Sequence, residues 1–110
     1  MDAEWKTMQR VTVKVDPDLI DLIPDFLTRK RADLQTLKGA VESGDLATIA
    51  ALGHKIKGEG GSFGFDAMSE IGAGLETSGK KGDRGAARQL VSDLAEYLEK
   101  IEVIEGPPVD

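Results

Sequence analysis

The chain of 110 residues contains no cysteine, so neither a disulfide framework nor a thiolate zinc site is available to it. Aromatic residues make up only 5%, too few to build a ring-stacking platform for single-stranded nucleic acid. Basic residues are the minority charge, 14 Lys and Arg against 20 Asp and Glu, for a formal net charge of −6. A nucleic-acid partner requires the opposite balance, so that class is set aside. No apolar run approaches the roughly 18 residues needed to cross a bilayer. The opening Met1-Asp2-Ala3-Glu4-Trp5 also lacks the basic and apolar regions of a secretory leader. One cytoplasmic, membrane-free domain with its own core is expected.

What the chain does have is helical periodicity. Four segments carry apolar residues at helical spacing, and residues that punctuate helices separate them. The first is expected from near Asp21 to Ser43, with Pro24 in its first turn and Ile20, Ile23, Phe26, Leu27, Leu34, Leu37 and Val41 on one face. Gly44 closes it and Asp45 caps the second, which runs from about Leu46 to Gly61. Asp66 is the expected N-cap of a shorter third helix carrying Met68, Ile71 and Leu75. It is followed by a polar turn, Ser78-Gly79-Lys80-Lys81-Gly82. The fourth starts near Asp83 and extends to about Glu102, with Ala87, Leu90, Val91, Leu94, Leu98 and Ile101 as its stripe. Short connections make antiparallel neighbours, so the expected fold class is all-α, an up-and-down four-helix bundle. Val11, Val13 and Val15 alternate like a strand but have no visible ladder partner. Residues 1–18 are therefore expected as extended chain or a short helix around Ala3 to Gln9, residues 19–103 as the bundle, and residues 104–110 as a disordered tail.

The single histidine, His54, lies in the second helix. At 100° per residue the apolar stripe there is Leu46, Ile49, Gly53, Ile56, Gly60 and Phe63, and His54 falls off it, toward water. Its neighbours on that face are Ala47, Ala50, Ala51, Lys57, Gly58 and Gly61. An exposed helix interior favours Glu, Lys, Gln or Arg, and each glycine costs about 1 kcal/mol relative to Ala. A face so cleared suits a macromolecule that must bring a reactive atom to the ring. A free imidazole, with a pKa of about 6.5, is substantially neutral near pH 7, so one ring nitrogen can act as nucleophile while the other keeps the proton. Lys57, one turn on, supplies a mobile cation for phosphoryl charge, and Gly58, four residues after the histidine, opens the approach to the ring.

The run His54-x-x-Lys57-Gly58, followed by Gly61-Ser62-Phe63-Gly64 and a third amphipathic helix, resembles the histidine-containing phosphotransfer (HPt) domains of multistep two-component phosphorelays. The likeness covers about Leu19 to Ile101. It implies a four-helix bundle whose second helix exposes a histidine phosphorylated on Nε2, fed by and feeding the aspartate of a receiver domain. Carried over, His54 is the phosphorylation site, Lys57 the phosphate neighbour, Gly58 the clearance glycine and Gly64 the packing glycine before the third helix. Ala47, Ala50, Ala51 and Gly61 become the partner-docking face. The resemblance further implies a monomeric carrier rather than an enzyme, with no cofactor of its own, Mg2+ on the receiver, and a receiver or hybrid histidine kinase as partner. Where many members have alanine before the histidine this chain has Gly53, which should let a neighbouring helix pack closer. Where some place a glutamine or basic residue on the third helix near the phosphoryl group, this chain offers Glu76 and Lys80.

Other chemistries fit less well. A lone histidine without cysteines makes no metal site, because no ligand stands at the helical neighbours of His54. Ser62 lies eight residues on, about 12 Å along a helix, too far for a Ser-His pair. A histidine-kinase core would need a glycine-rich nucleotide box that the sequence does not contain. The remaining alternative is a non-catalytic helical adaptor that docks a partner through the Ala/Gly face.

Overall fold

The computed structural model describes residues 3–106. Four helices form an up-and-down bundle: α1 Ile23–Ser43, α2 Leu46–Ser62, α3 Asp66–Lys81 and α4 Arg84–Lys100. Each packs on its neighbour in sequence, and α4 closes the ring against α1. The core holds Phe26, Leu37, Ile49, Ile56, Phe65, Met68, Leu75 and Leu94, all fully buried. No helix among the described residues is long and apolar enough to cross a membrane.

Local chemistry sets the helix ends. Pro24 sits in the first turn of α1, where its missing N–H breaks no helical bond. At the other end Gly44 takes φ +72°, and the amides of Gly44 and Asp45 return to the carbonyls of Val41 and Ala40. Asp45 then caps α2 by accepting from the Thr48 amide at 3.2 Å, and Asp83 caps α4 on Ala86 at 3.0 Å. Arg84, entering α4, donates to the carbonyls of Val41 and Glu42, both at 2.7 Å, and so ties the start of α4 to the end of α1. Between α1 and α2 the fully buried Lys30 donates to Asp33 at 2.7 Å and Glu59 at 2.6 Å, while Arg29 reaches Glu59 at 2.7 Å. Burial works to raise the Glu59 carboxyl, but the bonds from Lys30 and Arg29 outweigh it and hold the group below its usual range.

The sequence-based expectations need correction at both ends and at the third helix. Val11–Val15 forms β1, and it does have a partner. The fourth helix stops at Lys100, and Ile101–Glu105 forms β2, parallel to β1 with Val11 opposite Ile101 and Val15 opposite Glu105. Ile101, Val103 and Ile104 are β-branched residues that favour this pleated surface over another helical turn. Within residues 3–18, Trp5, Val13 and Val15 join the core. Trp5, in a single 3-10 turn over Glu4–Thr7, meets Tyr97 edge-on at 5.3 Å, and the adjacent Lys6 pairs with Asp93 at 3.0 Å. Of the tail expected to be disordered, Ile104 and Glu105 are in β2 and Gly106 is buried, its amide bonded to the Val15 carbonyl; residues 107–110 lie outside the described residues. The polar turn expected at Ser78–Gly82 is helical through Lys81, because Ser78 and Gly79 are buried. Asp66 is the first residue of α3, and Phe65 holds the cap position.

Candidate functional site

The contact that builds the site is the packing of α2 on α3. Gly53 and Gly60 on α2 and Gly72 and Gly79 on α3 bring the two backbones together, and none of the four has room for a methyl group. A Cβ on Gly53 would fall 2.4 Å from the Glu76 amide nitrogen, one on Gly72 2.4 Å from that of Lys57, and one on Gly79 2.6 Å from that of Ala50. Gly53 immediately precedes His54, so the approach that needs Gly53 carries Glu76 to the histidine.

The His54 side chain is 74% exposed, and its Nδ1 lies 2.9 Å from Oε2 of Glu76, whose side chain retains 15% exposure. Lys80, one turn further along α3, contacts the same oxygen at 3.2 Å, and Lys57 approaches Oε1 at 3.8 Å. The bond from Lys80 first, and that from His54 after it, hold the Glu76 carboxyl below its ordinary range, so it is a carboxylate at neutral pH. A carboxylate only accepts hydrogen bonds. Nδ1 is therefore the nitrogen that donates to Glu76, and the tautomer that does so carries its lone pair on Nε2.

The structure sorts the sequence-predicted residues around this ring. Lys57 is beside it and joined to it through Glu76. Gly58 is exposed, and a Cβ there would meet nothing within 4 Å. Ala47 and Ala51 are exposed on the same helix, but Ala50 is half-buried, with Gly79 of α3 packed against it, and belongs to the helix interface rather than to an open docking face. Gly61 is exposed and borders Ser69 of α3, whose hydroxyl donates to the Lys57 carbonyl at 2.8 Å. Gly64 is not the packing glycine: a Cβ there has no neighbour nearer than 4.0 Å, and its place is explained by φ +85° in the turn that closes α2. Packing before α3 falls to Gly60, where a Cβ would sit 2.9 Å from the Ser69 amide nitrogen.

Glu76 is the residue that sequence reasoning undervalued. Its signal lay in the two glycine pairs, each spaced by seven residues, Gly53 with Gly60 and Gly72 with Gly79. Interlocking these stripes in antiparallel sense sets the register of α2 on α3 and places Glu76 beside His54.

Comparison with curated proteins and with solved structures returned no match. A family model does match: that of the Hpt domain, over residues 21–103. The match spans α1 through α4 and includes His54, Glu76 and the glycines between them, and with it the bundle and its exposed, carboxylate-bound histidine identify the chain as a member of the Hpt family of histidine phosphotransfer domains of two-component phosphorelays.

Proposed function

We propose that His54 carries the phosphoryl group, accepting it from the aspartyl phosphate of a receiver domain and returning it to a receiver aspartate. The observation that carries this reading is the exposed ring whose Nδ1 is bound to Glu76. In the forward step the Nε2 lone pair attacks phosphorus and an N–P bond forms. The bond from phosphorus to the aspartate oxygen breaks, and its electron pair leaves with the partner's carboxylate. No proton need move, because the one on Nδ1 stays there. The ring gains positive charge as the N–P bond forms, and the Glu76 carboxylate is already in place to stabilise it. Lys57, and the clearance at Gly58, serve the incoming phosphoryl group and its receiver, while Ala47, Ala51 and Gly61 offer the receiver a surface of low relief. In this reading the protein is a cytoplasmic, monomeric carrier without a cofactor of its own, and Mg2+ belongs to the receiver.

Incubation with phosphorylated receiver domains from the same genome, following the label, tests the proposal. Label should appear on this chain, be lost in acid and survive base, as a phosphoramidate does. An acid-stable label, or no transfer from any receiver, overturns it.

Glu76 is then a positioning residue. Glu76→Ala should slow transfer by about tenfold or more, the usual scale for loss of a partner that fixes a histidine ring, while the melting temperature changes little. Glu76→Gln still accepts from Nδ1 but lacks the charge, so its rate should fall between those of Glu76→Ala and wild type. Nitrogen chemical shifts of His54 read the tautomer directly: the preference for a proton on Nδ1 should weaken in Glu76→Ala, and an unchanged preference would remove Glu76 from this role.

A further inference from the structure

The side of the bundle away from His54 carries a groove of its own. Between α1 and α4 run two adjoining hollows of about 410 and 240 Å³, joined at Lys38 and Ala95. Leu34 and Val41 of α1 and Val91 and Leu98 of α4, all buried, form the floor, and Ala95, half-buried, leaves the middle open because its side chain is only a methyl group. The charge on the two walls is uneven. Arg31 and Lys38 stand exposed on the α1 wall, and neither meets a carboxylate among the described residues, although the chain has 20 acids for 14 bases. Glu42, one turn beyond Lys38, is turned across the groove to Arg88 of α4 at 2.7 Å and closes that end. The α4 wall offers Ser92 in one hollow and the exposed carboxylate of Glu99 in the other.

We infer that this groove docks an amphipathic helix of a partner protein, apolar where it lies over Ala95 and acidic on the flank that meets α1. Arg31 and Lys38 stand two turns apart on α1, about 10.5 Å along the axis, so two carboxylates at the same spacing on one helix flank reach both. Glu99 repels acid on the other flank, which fixes how the incoming helix is turned. An extended strand would not serve, because walls made of helices offer no ladder for its backbone groups. The α1 wall from residue 31 to residue 42 spans about 16 Å, the length of a helix of about three turns. None of the four helices of this chain carries two carboxylates seven residues apart, so the occupant is another protein rather than a second copy. In the ring of helices the α1–α4 groove lies across from the α2–α3 pair, and a helix held there leaves His54 open. The groove tethers the protein to a partner without competing for the histidine.

The test titrates the isotope-labelled intact chain with a synthetic helix of about three turns that carries leucines on one face and two glutamates, spaced as Arg31 and Lys38 are, on one flank. Amide shifts should move along residues 31–42 and 88–99 and stay fixed around His54. Replacing both glutamates of the peptide by lysine should weaken binding about tenfold. Lys38→Glu should weaken the glutamate peptide and strengthen the lysine peptide by about fivefold each, a reversal that an apolar groove without charge selection would not show. Ala95→Leu fills the hollow and should remove binding of both peptides, its melting curve showing that it folds. Phosphoryl transfer from a receiver to His54 should run at the wild-type rate with the peptide bound. No binding, equal binding of the two peptides, or a Lys38→Glu protein that discriminates as wild type does overturns the inference. Shifts around His54, or transfer blocked by the peptide, would place the helix on the α2–α3 side and overturn it as well. A free chain that self-associates through residues 31–42 would make the occupant a second copy, against the inference.

Discussion

His54→Gln should abolish phosphoryl labelling and leave the fold as it was. The His54 side chain is 74% exposed, and among the described residues its polar contact is with Glu76, which keeps Lys57 and Lys80 as partners when the imidazole is gone. No buried group is orphaned and no cavity is opened, so the stability change should stay within about 0.5 kcal/mol, the range of surface substitutions. The helical circular dichroism and melting curve should overlay those of the wild type. Incorporation of label from a phosphorylated receiver should fall to background, because glutamine offers no nucleophilic nitrogen. Labelling that survives the substitution would move the chemistry elsewhere. Ser43 and Ser62 are the hydroxyls to examine then, and an acid-stable bond would mark them. A variant that loses labelling but also unfolds would show the ring to be structural and would overturn the reading of an exposed site.

The bundle was legible in the sequence because its signals are local. Gly44-Asp45 stops one helix and caps the next within two residues, and Asp83 starts the last. The exposure of His54 could be read because Ile49, Ile56 and the flanking glycines define a stripe that excludes it. What could not be read depends on pairs distant along the chain. β1 was visible as alternation, but its partner β2 follows ninety residues later and ran on from a helical stripe, so Ile101 was read as one more apolar position of α4. The end of α3 was misjudged because Ser78-Gly79-Lys80-Lys81-Gly82 has the composition of a turn. Only the packing of Gly79 on Ala50 explains a glycine kept in a buried helical turn. Glu76 was present and named, yet its meaning depends on the register of α3 on α2.

The glycines of α2 and α3 serve two opposite purposes, and substitution should separate them cleanly. Gly58 faces open space, so Gly58→Gln or Gly58→Leu supplies a better helix former with nothing to strike. It should stabilise the protein by about 0.5 to 1 kcal/mol. Transfer from a receiver should nevertheless slow, because the new side chain stands in the approach to His54. Gly72→Ala, a smaller chemical change, should do far more damage. Its methyl carbon would be placed 2.4 Å from the Lys57 amide nitrogen and 2.8 Å from the Gly53 carbonyl oxygen, and backbone cannot rotate away as a side chain can. The helices must part, at a cost of about 3 kcal/mol, the upper end of the usual range for overpacking. That corresponds to a melting temperature lower by about 10 to 20 °C for a domain of this size. Any molecules that remain folded should hold Glu76 away from Nδ1, so the His54 nitrogen shifts should lose their tautomer preference, as in Glu76→Ala, and transfer should fall with them. Thermal melts and nitrogen shifts on the two variants check the distinction: a Gly72→Ala protein as stable as wild type would mean that α2 and α3 have room between them, and the close approach could no longer be what brings Glu76 to His54.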